Sequence, residues 1–324
     1  MKTKYIIPVL MLGVFASCDD ILEDVDFNAT PAAGNVYKVG EPVTFNLNGN
    51  PDYITFFSGE EGNNYKNRFR TEIAMEDIAS AEFSFAAKRQ YGTEQKTMEV
   101  YFSDSFQGIS RKDPQTDLTA IQSENWVTAV APEDMDKASA SAFTPMGPID
   151  ISKYLSHFVV AFKYQGTMNG KDAQRTWTLN QFKIRCELKS GKVIESGSAT
   201  ALNFSAFDVK NVENGTDPYR FIVSGSQDKG TWIGINISKS NEVQIQGGTK
   251  TQPDNEDWLI SAPLKLNTCT PDTGLALKDM TATVKSHTHV FTQPGTYEVV
   301  FVAGNANYKG EKEKVQKITI TIAE

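Results

Sequence analysis

Few side chains in this chain are spaced for catalysis. The nearest thing to a metal-ligating pattern is His287-Thr288-His289. Alternate residues of a strand face the same side, so the two imidazoles would be neighbours in a geometry that a zinc-type ion accepts. No third histidine, cysteine or carboxylate completes a recognisable ligand set, and the pair is expected on the surface where a strand begins. The hydrolase signature G-x-S-x-G and the phosphate-binding signature G-x-x-x-x-G-K are missing. Carboxylates are numerous, 40 Asp and Glu against 32 Lys and Arg, yet none stands out as the acid and nucleophile of a glycosidase. Gly247-Gly248 reads as a turn, because no helix signal follows it. Neither metal nor cofactor is implied, and the chain is not expected to be an enzyme.

Recognition chemistry is better represented. In residues 231–237 (TWIGINI), Ile233, Ile235 and Ile237 form one apolar face and leave Trp232, Gly234 and Asn236 on the other. An indole beside a small residue and an amide is how a platform for a sugar ring could be built; a sandwich strand covered by a loop would look the same. Tyr101, on the face opposite Met98, Val100 and Phe102, is a second candidate. Trp177 shares a face with Leu179, Trp258 lies in the apolar run WLI and Trp126 alternates toward Thr128 and Val130, which assigns all three to cores.

Covalent chemistry is expected at Cys18. Lys2 and Lys4 precede an apolar run at residues 5–15 (YIIPVLMLGVF), followed by Ala16, Ser17 and the cysteine. Eleven apolar residues suit the middle of a signal peptide and are too few for a spanning helix, which needs about 20. The segment resembles a bacterial lipoprotein signal, with Phe15 where the usual pattern prefers leucine. The resemblance implies removal of residues 1–17 and acylation of Cys18. With more than one acyl chain, at about 0.8 kcal/mol per buried methylene, such an anchor is effectively permanent. Acidic residues follow the cysteine (Asp19, Asp20), as in Bacteroidetes-type lipoproteins sent to the outer face of the outer membrane. No later apolar run approaches spanning length. Residues 18–35 read as an acidic flexible tether.

The elements that would position these groups are strands. Val43, Phe45 and Leu47 alternate with polar neighbours, as do Phe83 and Phe85, Phe158 to Tyr164, Tyr297 to Ala303, and Ile318, Ile320 and Ile322. Helical periodicity is nearly absent, with single turns conceivable at 74–81 and 149–155. The fold class is all-β. Residues 39–59 (VGEPVTFNLNGNPDYITFFSG) and 286–305 (SHTHVFTQPGTYEVVFVAGN), plus a final strand at 317–322, resemble the opening and closing halves of one polycystic-kidney-disease-type immunoglobulin-like domain. This implies a sandwich built from 36–69 and 267–324, split by an insertion. The inserted residues 70–266 resemble jelly-roll modules of outer-membrane lipoproteins found near polysaccharide-utilisation systems, through 98–108 (MEVYFSDSFQG), 143–164, 176–184 (TWTLNQFKI) and 256–266 (EDWLISAPLKL). The resemblance is to a lipoprotein family of unknown function. Where similar modules carry paired acidic residues, this chain has Asn180-Gln181, which weakens any metal role there.

A formal charge of -8 makes nucleic acid a poor partner. Cys186 and Cys269 have no local pairing signal, although an exported protein could oxidise them. The leading expectation is a non-catalytic surface lipoprotein that captures polysaccharide or oligosaccharide, alongside an outer-membrane transporter complex. A structural or adhesin-like lipoprotein is the first alternative, and an unrecognised glycan hydrolase the second. Replacing Cys18 by alanine should leave an unprocessed precursor that is not labelled by a palmitate analogue. Labelling and migration identical to the parent would refute the anchor.

Overall fold

The computed structural model describes residues 22–219, the backbone of 221–223 and 232–236, and residues 242–324. Cys18 and its leader lie outside the described residues. The chain forms two compact units. One combines both ends of the chain, up to Thr71 and from Thr270 onward, and the other is Glu72–Cys269.

The front of the chain supplies β1 (Phe27–Pro31), β2 (Val36–Lys38), β3 (Pro42–Gly49) and β4 (Tyr53–Phe57). The central unit contains β5 (Ile78–Gln90), β6 (Met98–Ser103), β7 (Val127–Val130), β8 (Thr144–Asp150), β9 (Val159–Gly166), β10 (Thr176–Leu188) and β11 (Val193–Ser196). It continues with β12 (Ser205–Asp208), β13 (Phe221–Val223), β14 (Trp232–Asn236), β15 (Glu242–Gln246) and β16 (Asn255–Ile260). The back of the chain adds β17 (Leu275–Lys278), β18 (Ser286–Val290), β19 (Gly295–Asn307) and β20 (Gly310–Ala323).

In the unit made from the chain ends, a sheet ordered β1-β3-β18 faces one ordered β17-β4-β19-β20-β2. Strand alternation dictates the core. Val43, Phe45 and Leu47 from β3 meet Phe56 of β4, Val299 and Phe301 of β19 and Ile320 and Ile322 of β20. The Phe45 ring lies edge-on to Phe301 at 5.3 Å, and Phe56 lies 5.1 Å from Phe301. This is an immunoglobulin-like sandwich whose halves are more than 200 residues apart in sequence.

Residues 18–35, expected as a tether, are corrected here: they contain β1, which pairs antiparallel with β3 from Phe27↔Gly49 to Pro31↔Phe45. Phe27 and Ala29 are buried in the core. Two inward residues among acidic neighbours are too short a pattern to register as periodicity. Gln316 of β20 reinforces the strand by accepting from the Ala29 amide (2.8 Å) and donating to the Ala29 carbonyl (2.6 Å).

The central unit stacks a sheet ordered β13-β14-β15-β10-β5-β8, with β11 beside β10, against one ordered β12-β16-β9-β6-β7. Successive long strands cross from one sheet to the other. Phe83, Phe85, Phe102, Phe158, Phe162 and Trp177 fill the space between them. β9 is apolar on both faces, and its outward Val159 and Ala161 are covered by Leu118 and Ile121 of an α-helix, α1 (Pro114–Ser123). That helix was not expected. Its signal is the cap: Asp113 accepts from the Thr116 amide and Pro114 occupies the first turn.

Each unit ties its own chain crossings. Asp272 accepts from the Asn64 amide (2.9 Å) and the Asn67 side chain (3.3 Å), and its own amide donates to the Asn67 carbonyl (3.2 Å). In the central unit Glu72 bridges Thr268 in antiparallel register, and Asn267 exchanges two hydrogen bonds with Ile73. Residues 72–269 expressed alone should therefore unfold cooperatively in denaturant, with a single transition. Residues 22–71 alone should show none, since their strands bury against β19 and β20. A cooperative transition in the shorter fragment would contradict this architecture.

Candidate functional site

Strand β14 pairs antiparallel with β15, setting Trp232 opposite Gln246 and Asn236 opposite Glu242. The side chains of Trp232 and Asn236 lie outside the described residues. Tyr101 is half-buried on the outer face of the β12-β16-β9-β6-β7 sheet. It stacks on Trp258 with centroids 5.8 Å apart and planes at 25°. Trp126 joins them, 5.5 Å from Trp258 and 6.5 Å from Tyr101.

Register explains the cluster. Tyr101 pairs with Ala161 and Trp258 with Lys163, so the two rings sit diagonally across β9 on one face. Polar groups surround them. Tyr101 donates to Glu99, and the Trp258 indole donates to Glu256 (2.9 Å). Gln165 also donates to Glu256 (3.2 Å), and the Lys163 ammonium lies over the Trp258 ring at 5.5 Å. Trp126, half-buried, is fixed by its indole donating to the Ile121 carbonyl (2.9 Å). Trp258 is buried, at 6% exposure. Trp258 is a core residue, as its apolar run implied, and Trp126 packs half-buried against the same hydrophobic cluster, which lies on the outer face of this sheet. The alternation Glu256, Trp258, Ile260 carried the signal, because it puts the indole in phase with a carboxylate.

A concavity lies within the immunoglobulin-like unit. Phe56, Ser58, Glu60, His289 and Tyr297 are among the residues lining a pocket of about 630 Å³. His289 is hydrogen-bonded to Glu60 through Nε2 and Oε2 at 2.6 Å. The histidine pair is not the surface feature expected from sequence. Both rings do share a face of β18, stacked with centroids 6.5 Å apart, but they are half-buried against Phe56, at 4.4 Å for His287 and 5.4 Å for His289. Burial, and then the neighbouring His289, hold the His287 imidazole below its ordinary pKa. Its Nε2 is buried without a hydrogen-bond partner. Among the described residues no group of three or more His, Cys, Asp or Glu could hold a metal.

An acidic pair in the central unit joins a buried Asp257 to a half-buried Asp208. Asp208 and Asp257 are directly opposite on β12 and β16. Burial, followed by the facing Asp208, pushes the Asp257 carboxyl well above the ordinary range, and burial also raises Asp208. Asn255 donates to Asp257, while Asp208 accepts from the Asn211 amide and caps a short helix. These bonds account for the pair structurally. Cys186 is buried and its thiol pushed up by that burial; neither it nor Cys269 forms a disulfide. Among the described residues no helix is long and apolar enough to cross a membrane.

Two β-sandwiches, one closed from the two ends of the chain and one formed by the residues between them in sequence, define an all-β protein with an immunoglobulin-like unit. The chain belongs to the family described as domain of unknown function (DUF5017), whose model matches residues 16–214. That span takes in the front of the immunoglobulin-like unit and much of the central one. No curated protein and no solved structure matches the sequence.

The His287 ring supplies a test of the site's electrostatics. Its lowered pKa means the unfolded chain binds a proton that the native state resists. Stability should then fall as pH drops below about 6.5, the unfolded value. His287→Phe should flatten that fall, and should stabilise the protein at pH 7 by about 1 kcal/mol, because the unpartnered nitrogen is removed. Denaturant unfolding at pH 7 and pH 5 measures both, and unchanged acid sensitivity in the variant would contradict the assignment.

Proposed function

We propose that this protein is a surface lipoprotein that binds glycan without turning it over, anchored in the outer membrane through Cys18 and facing the cell exterior. The observation that carries the reading is the outer-face cluster of Tyr101, Trp126 and Trp258. Sugar rings present flat C–H faces that pack on aromatic rings, and their hydroxyls need directional polar partners. Here a buried Trp258 backs two half-buried aromatics, with Glu99, Glu256, Gln165 and Lys163 within reach of the same surface. Support on strands keeps the rings in place before a ligand arrives, which lowers the ordering cost of binding. A capture role beside an outer-membrane transporter complex is consistent with the lipoprotein-like leader.

Affinity electrophoresis through a panel of polysaccharides is the direct test. Retardation by at least one polysaccharide is expected, and Trp126→Ala and Tyr101→Ala should each weaken it by up to about tenfold. That corresponds to loss of a stacking contact of about 0.5–1.5 kcal/mol. Both variants should keep the parental unfolding midpoint to within a few degrees. Trp258→Ala, by contrast, should cost about 3–5 kcal/mol of stability. Retardation that survives both half-buried-ring truncations, or none with any polysaccharide, would sink the platform.

A further inference from the structure

We infer that one end of the immunoglobulin-like unit, the end from which the chain runs back to Cys18, is a membrane-contact surface that seats Met280 and Tyr308 in the headgroup layer of the bilayer. Such contact rests on the lipid anchor proposed for Cys18 and adds to it which face of the unit meets the lipid. Chain length sets the geometry. Glu23 follows Cys18 by five residues, a stretch that reaches at most about 18 Å when fully extended. The Asn305 side chain, near the β19–β20 turn, donates to the carbonyls of Glu23 and Asp24, each at 3.3 Å. The Lys312 ammonium pairs with the Asp24 carboxylate at 2.7 Å. An acylated Cys18 therefore keeps this end of the unit within about 18 Å of the bilayer.

Three loop tips gather at the same end, and Asp52 between β3 and β4 ties them together. Its amide donates to the Asn305 side chain (3.1 Å), and its carboxylate accepts from the Ala306 amide (2.8 Å). Its carbonyl accepts from the Lys278 ammonium (3.4 Å). Two residues beyond Lys278 stands Met280, 72% exposed, and two beyond Ala306 stands Tyr308, 79% exposed. Apolar side chains scattered singly over a surface need no explanation. Two on tips joined to one aspartate, beside the segment that leads to the anchor, share a partner. The chain leaves for the central unit after Phe57 and returns before Leu275, at the opposite ends of β4 and β17.

The side chains at these tips suit a lipid boundary. Tyr308 pairs an apolar ring with a hydroxyl that needs water, and the Lys309 ammonium lies 5.5 Å from that ring, a long cation whose stem can lie along apolar surface. Carboxylates that lipid phosphates would repel are already engaged: Asp24 by Lys312, Asp52 by the Ala306 amide, and Asp279 by the amide and hydroxyl of Thr281. Two apolar side chains are too few to hold a protein on a membrane alone, so the acyl chains supply the affinity and the tips supply the orientation. Contact then depends on apolar groups and not on lipid charge, in keeping with an acidic chain, and neutral phosphatidylcholine suffices for it.

The experiment places the full protein, shown to be acylated by uptake of a palmitate analogue, in phosphatidylcholine vesicles that carry a photoactivatable phosphatidylcholine. Mass spectrometry maps the cross-linked peptides and, in a parallel sample, the side chains oxidised by hydroxyl radicals. Cross-links should concentrate in the peptides that contain Met280 and Tyr308. Oxidation of these two side chains should fall severalfold relative to an unacylated chain beginning at Asp19 and mixed with the same vesicles. Leu275 and Val290, exposed at the opposite end of the unit, should be oxidised equally in both. Met280→Ser and Tyr308→Ser together should abolish cross-linking of their peptides while palmitate labelling and vesicle attachment persist. An acylated protein whose cross-links fall elsewhere, whose Met280 and Tyr308 stay as reactive as in the unacylated chain, or whose cross-linking survives the double substitution would overturn the contact and leave the anchor standing. Failure to take up palmitate would overturn the anchor and the contact together.

Discussion

The packing of Phe45 and Phe56 against Phe301 is the contact on which the architecture depends. It joins strands from opposite ends of the chain, so the immunoglobulin-like unit has no core until the whole polypeptide has been made. The entropic cost of closing so long a loop grows only logarithmically with its length, and a loop that folds on itself removes much of that cost. The central unit draws its two ends together through the Glu72–Thr268 bridge and the Ile73–Asn267 exchange. On the other side of the crossing, Asp272 binds Asn64 and Asn67 within its own unit. Each unit therefore presents a closed pair of strand ends, and an insertion costs the immunoglobulin-like sandwich little.

How far the fold was legible depended on the length of each pattern. Strands β3, β19 and β20 alternate over enough residues to reveal both their period and their buried face. β1 was not legible, because Phe27 and Ala29 are two inward residues within an acidic, proline-containing stretch that composition alone assigns to a tether. Helix α1 was missed for a related reason. Its apolar stripe is only Leu118 and Ile121, and the information lay in the Asp113-Pro114 start. The candidate sites were legible in part. Tyr101 could be placed on an outward face by alternation, but its stacking on Trp258 depends on the β6–β9–β16 register, which is long-range information. The partnership of His289 with Glu60 was hidden in the same way, since the two are joined by tertiary structure across more than 200 residues.

The outer-face aromatics and the pocket are both held by bonds within their own unit. Rings held by strands and polar groups held by backbone bonds need little reordering when a ligand arrives, so a weak contact is not further weakened by entropy. The outer-face cluster does this through the indole bonds of Trp126 and Trp258.

The facing Asp208 and Asp257 give the molecule a divided response to acid. A carboxyl whose pKa is raised on folding makes the native state the better proton acceptor, so its contribution to stability is full below the unfolded pKa and erodes as pH climbs through the folded one. His287 obeys the opposite rule in the other unit. Acidification thus favours the native state at the facing aspartates and disfavours it at the His287 ring.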